Sequence, residues 1–192
     1  MKYCDIKTPE DLLKYMNENI KYGFVDDEII YDGKDNQKFQ IGCQTKWRLS
    51  SPKRLLNVKY GHCFDQVEFE RDWFYKNGYN FKTIFIWFEF PYDNKFTTHT
   101  YLIYKDDNKW KLFEHSDYSN RGIHIFNNEA EAIKFQTNKH IEQNRKYNPI
   151  GDEEIKHLKI YEYKMPRYGC NRNEFINNIL DNLIEINIQK WI

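Results

Sequence analysis

Residues 98–116 read THTYLIYKDDNKWKLFEHS. Two runs rich in aromatic and β-branched residues flank Asp107-Asn108, the pattern of a β-hairpin with its turn at that pair. A two-residue turn pairs Asp106 with Lys109 and sets His99 opposite Ser116. Side chains alternate between the faces of a strand. His99 therefore shares a face with Glu114, Ser116 and Tyr118, and Glu114 is its diagonal neighbour, within reach of a long side chain. His115 and Asp117 point the other way. A three-residue loop would reverse the faces and bring His115 and Asp117 round to His99.

On either side of this hairpin, FKTIFIWFEF (81–90) reads as a buried strand, and RGIHIF (121–126) and HLKIYEYKM (157–165) as further strands. KTPEDLLKYMNENI (7–20) reads as a helix with Thr8 as N-cap and Pro9 at its first position. SSPKRLLN (50–57) repeats that signal with Ser51 and Pro52. Residues 21–46 read as irregular or weakly β, with a turn at Asp32-Gly33. Asn127 or Asn128 caps a helix over 129–144, an ordinary surface helix, and NRNEFINNILDNLIEINI (171–188) reads as a C-terminal helix. The strands cluster instead of alternating with helices. This order predicts an α+β fold with an antiparallel sheet rather than a doubly wound one.

The 192 residues suit a single domain over 1–192 with a sizeable core. Lys+Arg and Asp+Glu balance at 29 each, so no strong field favours nucleic acid or an acidic membrane surface. The bias towards Lys, Asn, Ile, Tyr and Phe, with Ala130 and Ala132 as the two alanines, reads as a genome effect. No stretch approaches the ~20 apolar residues of a membrane helix, and the start of the chain lacks the apolar run of a signal peptide. A cytoplasmic protein is expected, with Cys4, Cys43, Cys63 and Cys170 as thiols. No glycine-rich nucleotide loop is present, and no organic cofactor is expected.

The chemistry centres on KYGHCFDQVEFERDWF (59–74), where Cys63 opens an amphipathic, largely polar helix that ends at Gly78. A helix N-terminus lowers a thiol pKa, and a thiol nucleophile needs a base held by a third group. Asp65 and Glu68 argue the other way, since nearby carboxylates raise a thiol pKa. Taken singly, Cys63 reads as a packed thiol, His99 as a strand histidine and Glu114 as a cross-strand partner of a lysine. His62 reads as a loop residue, His115 and His124 have no evident partner, and Trp73, Trp87 and Trp110 read as core.

Taken together, GHCFDQVEFE followed by THTYLIYKDDNKWKLFEHSD resembles the transglutaminase-like (papain-like) cysteine superfamily. The matching features are Gly61-His62-Cys63, His99-Thr100-Tyr101, the turn at 106–109, Trp110 and then Glu114, and the resemblance covers roughly residues 50–118. The third member is Glu where Asp is commoner, and HSD stands where many members have DPT. The resemblance implies a papain-type core, with the Cys-bearing helix packed on an antiparallel sheet. It implies Cys63 as nucleophile, His99 as base and Glu114 as its orienting partner, with acyl chemistry on a protein, peptide or small amide through a thioester. It also implies a second oxyanion donor, for which Gln44 and Trp47 stand upstream. Two other readings are a non-catalytic binding module on the same fold and a zinc site drawn from His62, Cys63, His99 and His115, whose spacings match no standard finger.

Overall fold

The computed structural model describes residues 2–90, 95–147, 150–182 and 184–187. Asp107 and Asn108 both adopt left-handed backbone, with φ of 48° and 60°, as a tight two-residue hairpin turn requires. Asp106 pairs with Lys109, and the ladder between β6 (Lys95–Asp106) and β7 (Lys109–Glu114) runs as far as Leu102–Phe113. Beyond that pair β6 continues against β5 (Asn80–Phe90) alone, with His99 opposite Ile86.

Around this hairpin stands a six-stranded antiparallel sheet. β8 (Gly122–Phe126) closes one side; β9 (Leu158–Glu162) and β10 (Ile184–Glu185) close the other, in the order β10-β9-β5-β6-β7-β8. Alternation along the strands divides the core between the two faces. Ile84, Ile86, Tyr101, Ile103 and Leu112 pack against Ala132, Ile133 and Ile141 of α5 (Glu129–Arg145). Leu102, Tyr104 and Phe113 pack against Phe69, Trp73 and Phe74 of α4 (Cys63–Lys76) and against α1 (Pro9–Asn19). The fold is thus α+β with helices on both faces of an antiparallel sheet.

Local signals explain most of the helix starts. Thr8, Ser51 and Asn128 accept from the backbone N–H three residues on, capping α1, α3 (Pro52–Val58) and α5. Two expectations need correction. Residues 36–45 are not irregular: α2 (Asn36–Thr45) forms there, capped by Asp35 and buried through Phe39, Gly42 and Cys43. Within 21–31, read as irregular or weakly β, β2 (Phe24–Asp26) and β3 (Ile29–Tyr31) form a hairpin turning at Asp27-Glu28, both in left-handed backbone; the expected turn at Asp32-Gly33 follows as a bend, with Gly33 at φ 79°. The last helix, α7 (Arg172–Asp181), stops short of the expected 171–188 because β10 joins the open edge of β9, where Ile186 N–H donates to Ile160. Residues 183 and 188 lie outside the described set. A short helix, Asp152–Ile155 (α6), adds an element with no expected counterpart.

The start of α4 departs from an amphipathic reading. Every residue from 63 to 70 is buried, including Asp65, Gln66, Glu68 and Glu70. Such burial requires a partner for each polar group or loss of its charge. Gln66 donates to Gly61 and accepts from His115 Nδ1. Glu68 pairs with Arg71 and accepts from Tyr163. Glu70 keeps its proton, because burial and the nearby Glu114 push its pKa well up. A side chain on Gly61 would meet Leu55 Cδ1 at 2.7 Å, which is why glycine precedes the His-Cys pair where α4 crosses α3. No helix among the described residues is long and apolar enough to cross a membrane.

Candidate active site

Cys63 occupies the first position of α4 and is 2 % exposed. At that position its backbone N–H is one of the donors that no helical carbonyl reaches. The helix start is locked by Asp65, which accepts from His62 N–H at 2.8 Å, Ser50 N–H at 2.6 Å and Trp47 Nε1–H at 2.9 Å. Burial nevertheless holds this carboxyl up at about 6. Asp65→Ala leaves the buried Trp47 and Ser50 donors without a partner. The expected cost is about 3 kcal/mol, a fall in thermal midpoint on the order of 10 °C. A melting curve within a degree or two of wild type would show that Asp65 is not the anchor of this loop.

His99 and Glu114 share a face, as the two-residue turn predicts. His99 Nε2–H donates to Glu114 Oε2 at 2.7 Å. Glu114 is 1 % exposed and also accepts from Gln136 Nε2 at 3.2 Å, Ser116 Oγ at 3.0 Å and the Asp117 N–H at 2.9 Å. Four donors hold the carboxylate in place. With Nε2 committed, Nδ1 is the nitrogen left to face the thiol. His99 and Cys63 line one cavity, where the charge of each stabilises the charge of the other. They come from opposite faces of the sheet and meet where β6 runs on past β7. The His140 ring of α5 stacks on His99 at 6.0 Å and shares a hydrogen bond with Thr97 at 3.2 Å. Burial and the His99 charge push His140 down to about 3, so it stays neutral.

His62, read from the sequence as a loop residue, stands against the thiol. Its Nδ1 lies 3.3 Å from Cys63 Sγ. The ring packs among Tyr22, Phe39, Trp47 and Phe64 at centroid distances of 5.0–6.2 Å. Burial alone would raise the Cys63 pKa; His62, and after it His99, outweigh burial and bring the thiol down to about 5. Burial would lower the two imidazoles, but the sulfur reverses that at His62, with help from Cys43, and raises it to about 10. At His99 burial is overcome first by Glu114 and then by Cys63, and its pKa lies well above the ordinary value. These shifts favour a thiolate at Cys63, with the two imidazoles as its counter-charges. Asp65 is bonded to the 47–50 segment and to the His62 N–H, and Glu68 to Arg71.

Tyr22 is the second residue that sequence reasoning missed. It belongs to β1 (Lys21–Tyr22), which pairs in parallel with β4 (Tyr60–Gly61), Tyr22 opposite Gly61. That bridge lays Tyr22 beside the Gly-His-Cys segment, where its hydroxyl interacts with the Cys63 sulfur. Burial and the two nearby cysteines push its pKa well up, so it remains a donor. Neither expected upstream donor fills that place. Trp47 Nε1–H is spent on Asp65. Gln44 is exposed and lines a neighbouring cavity, not the one that contains Cys63. His115 is buried on the α4 side, bonded to Gln66 at 2.6 Å, and His124 bonds the Asn120 carbonyl. Among the described residues, no group of three His, Cys, Asp or Glu side chains is arranged to hold a metal ion.

Cys63 and His99 open into a cavity of about 410 Å³ whose walls include Tyr22, Thr98, Ser116, Asp117, Tyr118 and His140. Comparison with known proteins adds no identity: no family model matches the chain, and no curated protein matches it significantly.

Proposed function

We propose that this protein is a cysteine-dependent acyl-transfer enzyme acting on amides, built on a transglutaminase-like, papain-type core. The observation that carries the reading is the meeting of Cys63 and His99 on one cavity, with His99 Nε2 bonded to the buried carboxylate of Glu114. Three other donors already satisfy that carboxylate; its effect on the imidazole is to fix the ring and hold its charge. The Cys-bearing helix against an antiparallel sheet, with His and Glu on adjacent strands, supports the core assignment.

In the proposed reaction the Cys63 thiolate attacks the carbonyl carbon, and the C=O π pair moves onto oxygen. The Cys63 N–H and the Tyr22 hydroxyl donate to that oxyanion. Its collapse breaks the C–N bond as His99 Nδ1–H protonates the departing amine, leaving a thioester and neutral His99. Water or a second amine then attacks the thioester. His99 takes its proton, and the thiolate is restored. Gln136 is a positioning residue, acting through Glu114.

Trapping the thioester tests the reading. An activated acyl ester is mixed with wild type and with Cys63→Ser, quenched in acid, and the intact masses and peptides are compared. An acyl adduct on Cys63 in wild type, absent from the variant, is the expected outcome. Acylation spread over Cys4 and the lysines, with none favoured at Cys63, would leave a binding module that retains the residues without the chemistry.

A further inference from the structure

A second cavity, of about 380 Å³, adjoins the first at Tyr22 and Thr98. Among the described residues its walls carry His62, Lys95 and Arg172 and no carboxylate. The first cavity differs, with Asp117 beside Lys146. The two cavities meet at Tyr22 and Thr98, with Cys63 on the wall of the first, and the charge along them is uneven.

Arg172 is the unusual member. It begins α7, whose first turn is already satisfied by Asn171 and Glu174, so the guanidinium is not needed there. The side chain lies over the Phe96 ring at 4.8 Å, and Phe96 in turn stacks on Trp87 at 4.4 Å. Cys43, Trp47, His62 and Phe64 share a small pocket with it. Its Coulombic neighbours are the Cys43 and Cys63 sulfurs, and no carboxylate is bonded to it among the described residues. Burial pulls its pKa down. A half-buried guanidinium over an aromatic ring, with no carboxylate bonded to its donor fork among the described residues, suits a carboxylate held in two parallel hydrogen bonds. The His62 imidazolium adds a second positive charge on the same wall.

We infer that this cavity is a subsite for a carboxylate carried by the substrate, a few bonds from the reacting amide, and that Arg172 recognises it. The inference rests on the reading of Cys63 as nucleophile and names its substrate class: amides bearing a negative charge.

Two thiol-directed probes of equal length, 3-maleimidopropionate and its amide, differ by one charge. Their rates at Cys63 are measured by mass spectrometry at pH 7 in wild type, Arg172→Gln and Arg172→Lys. Wild type is expected to prefer the carboxylate probe. Arg172→Gln should cut that preference about tenfold, the size of one charge-assisted hydrogen bond, slowing the carboxylate probe far more than the amide probe. Arg172→Lys should retain most of the preference. An unchanged preference in Arg172→Gln overturns the subsite. Equal slowing of both probes does so too, since Arg172 would then act on the thiolate alone. Should Cys63 be inert to the amide probe in every protein, the nucleophile reading fails by itself. The subsite is then read from melting curves with glutarate. Glutarate that stabilises wild type but not Arg172→Gln upholds it, and no stabilisation of wild type overturns it. Inorganic phosphate giving the same stabilisation as glutarate would overturn the carboxylate assignment.

Discussion

Removing both imidazoles beside Cys63, in His62→Ala/His99→Ala, is expected to raise the apparent pKa of its alkylation from about 5 to above the ~8.5 of a free thiol. Burial is the largest influence on this sulfur and works against ionisation. The two rings overcome it, and without them it prevails. At pH 7 the thiolate fraction falls from nearly all to ~3 % or less, a loss of about 30-fold or more in reactive form. The single variants are informative in their order. His62 contributes more than His99 to lowering this pKa, so His62→Ala is expected to raise it further than His99→Ala does. Rates of iodoacetamide labelling against pH, resolved for each cysteine by mass spectrometry, give the four values. A double variant still titrating near 5 would mean that the helix terminus, not the imidazoles, ionises the sulfur.

The second large effect separates reactivity from turnover. His99→Ala is expected to retain much of its alkylation at pH 7, because His62 still stands 3.3 Å from the sulfur. If the proposed reaction holds, it should lose acyl turnover by on the order of 10³-fold, because His99 is the group assigned to protonate the leaving amine. His62 is held by aromatic rings and is not bonded to a carboxylate, so it keeps the charge without replacing the acid. Glu114→Gln should fall between, on the order of 10²-fold, since Nε2–H loses a charged acceptor while the ring keeps its place. The same groups set the pH profile. The active form needs Cys63 ionised and His99 protonated, so activity should rise as pH passes about 5 and fall again only well above the ordinary imidazole range, because the His99 pKa is raised. Turnover and labelling lost in parallel in His99→Ala would show that His99 serves the thiolate alone, and the acid role would have to be abandoned.

These two experiments differ because the fold sets a second histidine at the thiol. In the sequence, His62 is a residue before a helix, and nothing in Gly-His-Cys distinguishes a ring turned to solvent from one turned to sulfur. What turns it inward is a wall of aromatic rings from β1, α2 and α4: Tyr22, Phe39 and Phe64. The α2 wall is invisible in the sequence because its helix signal is short. Its buried face is Phe39, Gly42 and Cys43, a pattern too slight to stand out from a loop. Tyr22 is hidden for a different reason. A two-residue parallel bridge has no periodicity to detect, and its partner lies nearly forty positions away.

The hairpin and the pairing it imposes were legible in the residues alone. Asp107-Asn108 accepts the left-handed turn, the turn sets the register, and the register puts His99 and Glu114 on one face. Each of these steps is local, because strand alternation leaves a single arrangement once the turn length is known. Cys63 at a helix start is equally local, written in the residues around it. Tertiary packing decides how these pieces meet. The ladder opens past Leu102–Phe113 and lets a helix on one face reach a histidine on the other. The burial of residues 63–70 pushes the Glu70 pKa well up, and the two imidazoles bring the thiol down in spite of it. Arg172, more than a hundred positions from Cys63, reaches the same groove. Charge state and convergence depend on desolvation and on contacts between distant segments, and neither is written in a stretch of neighbouring residues.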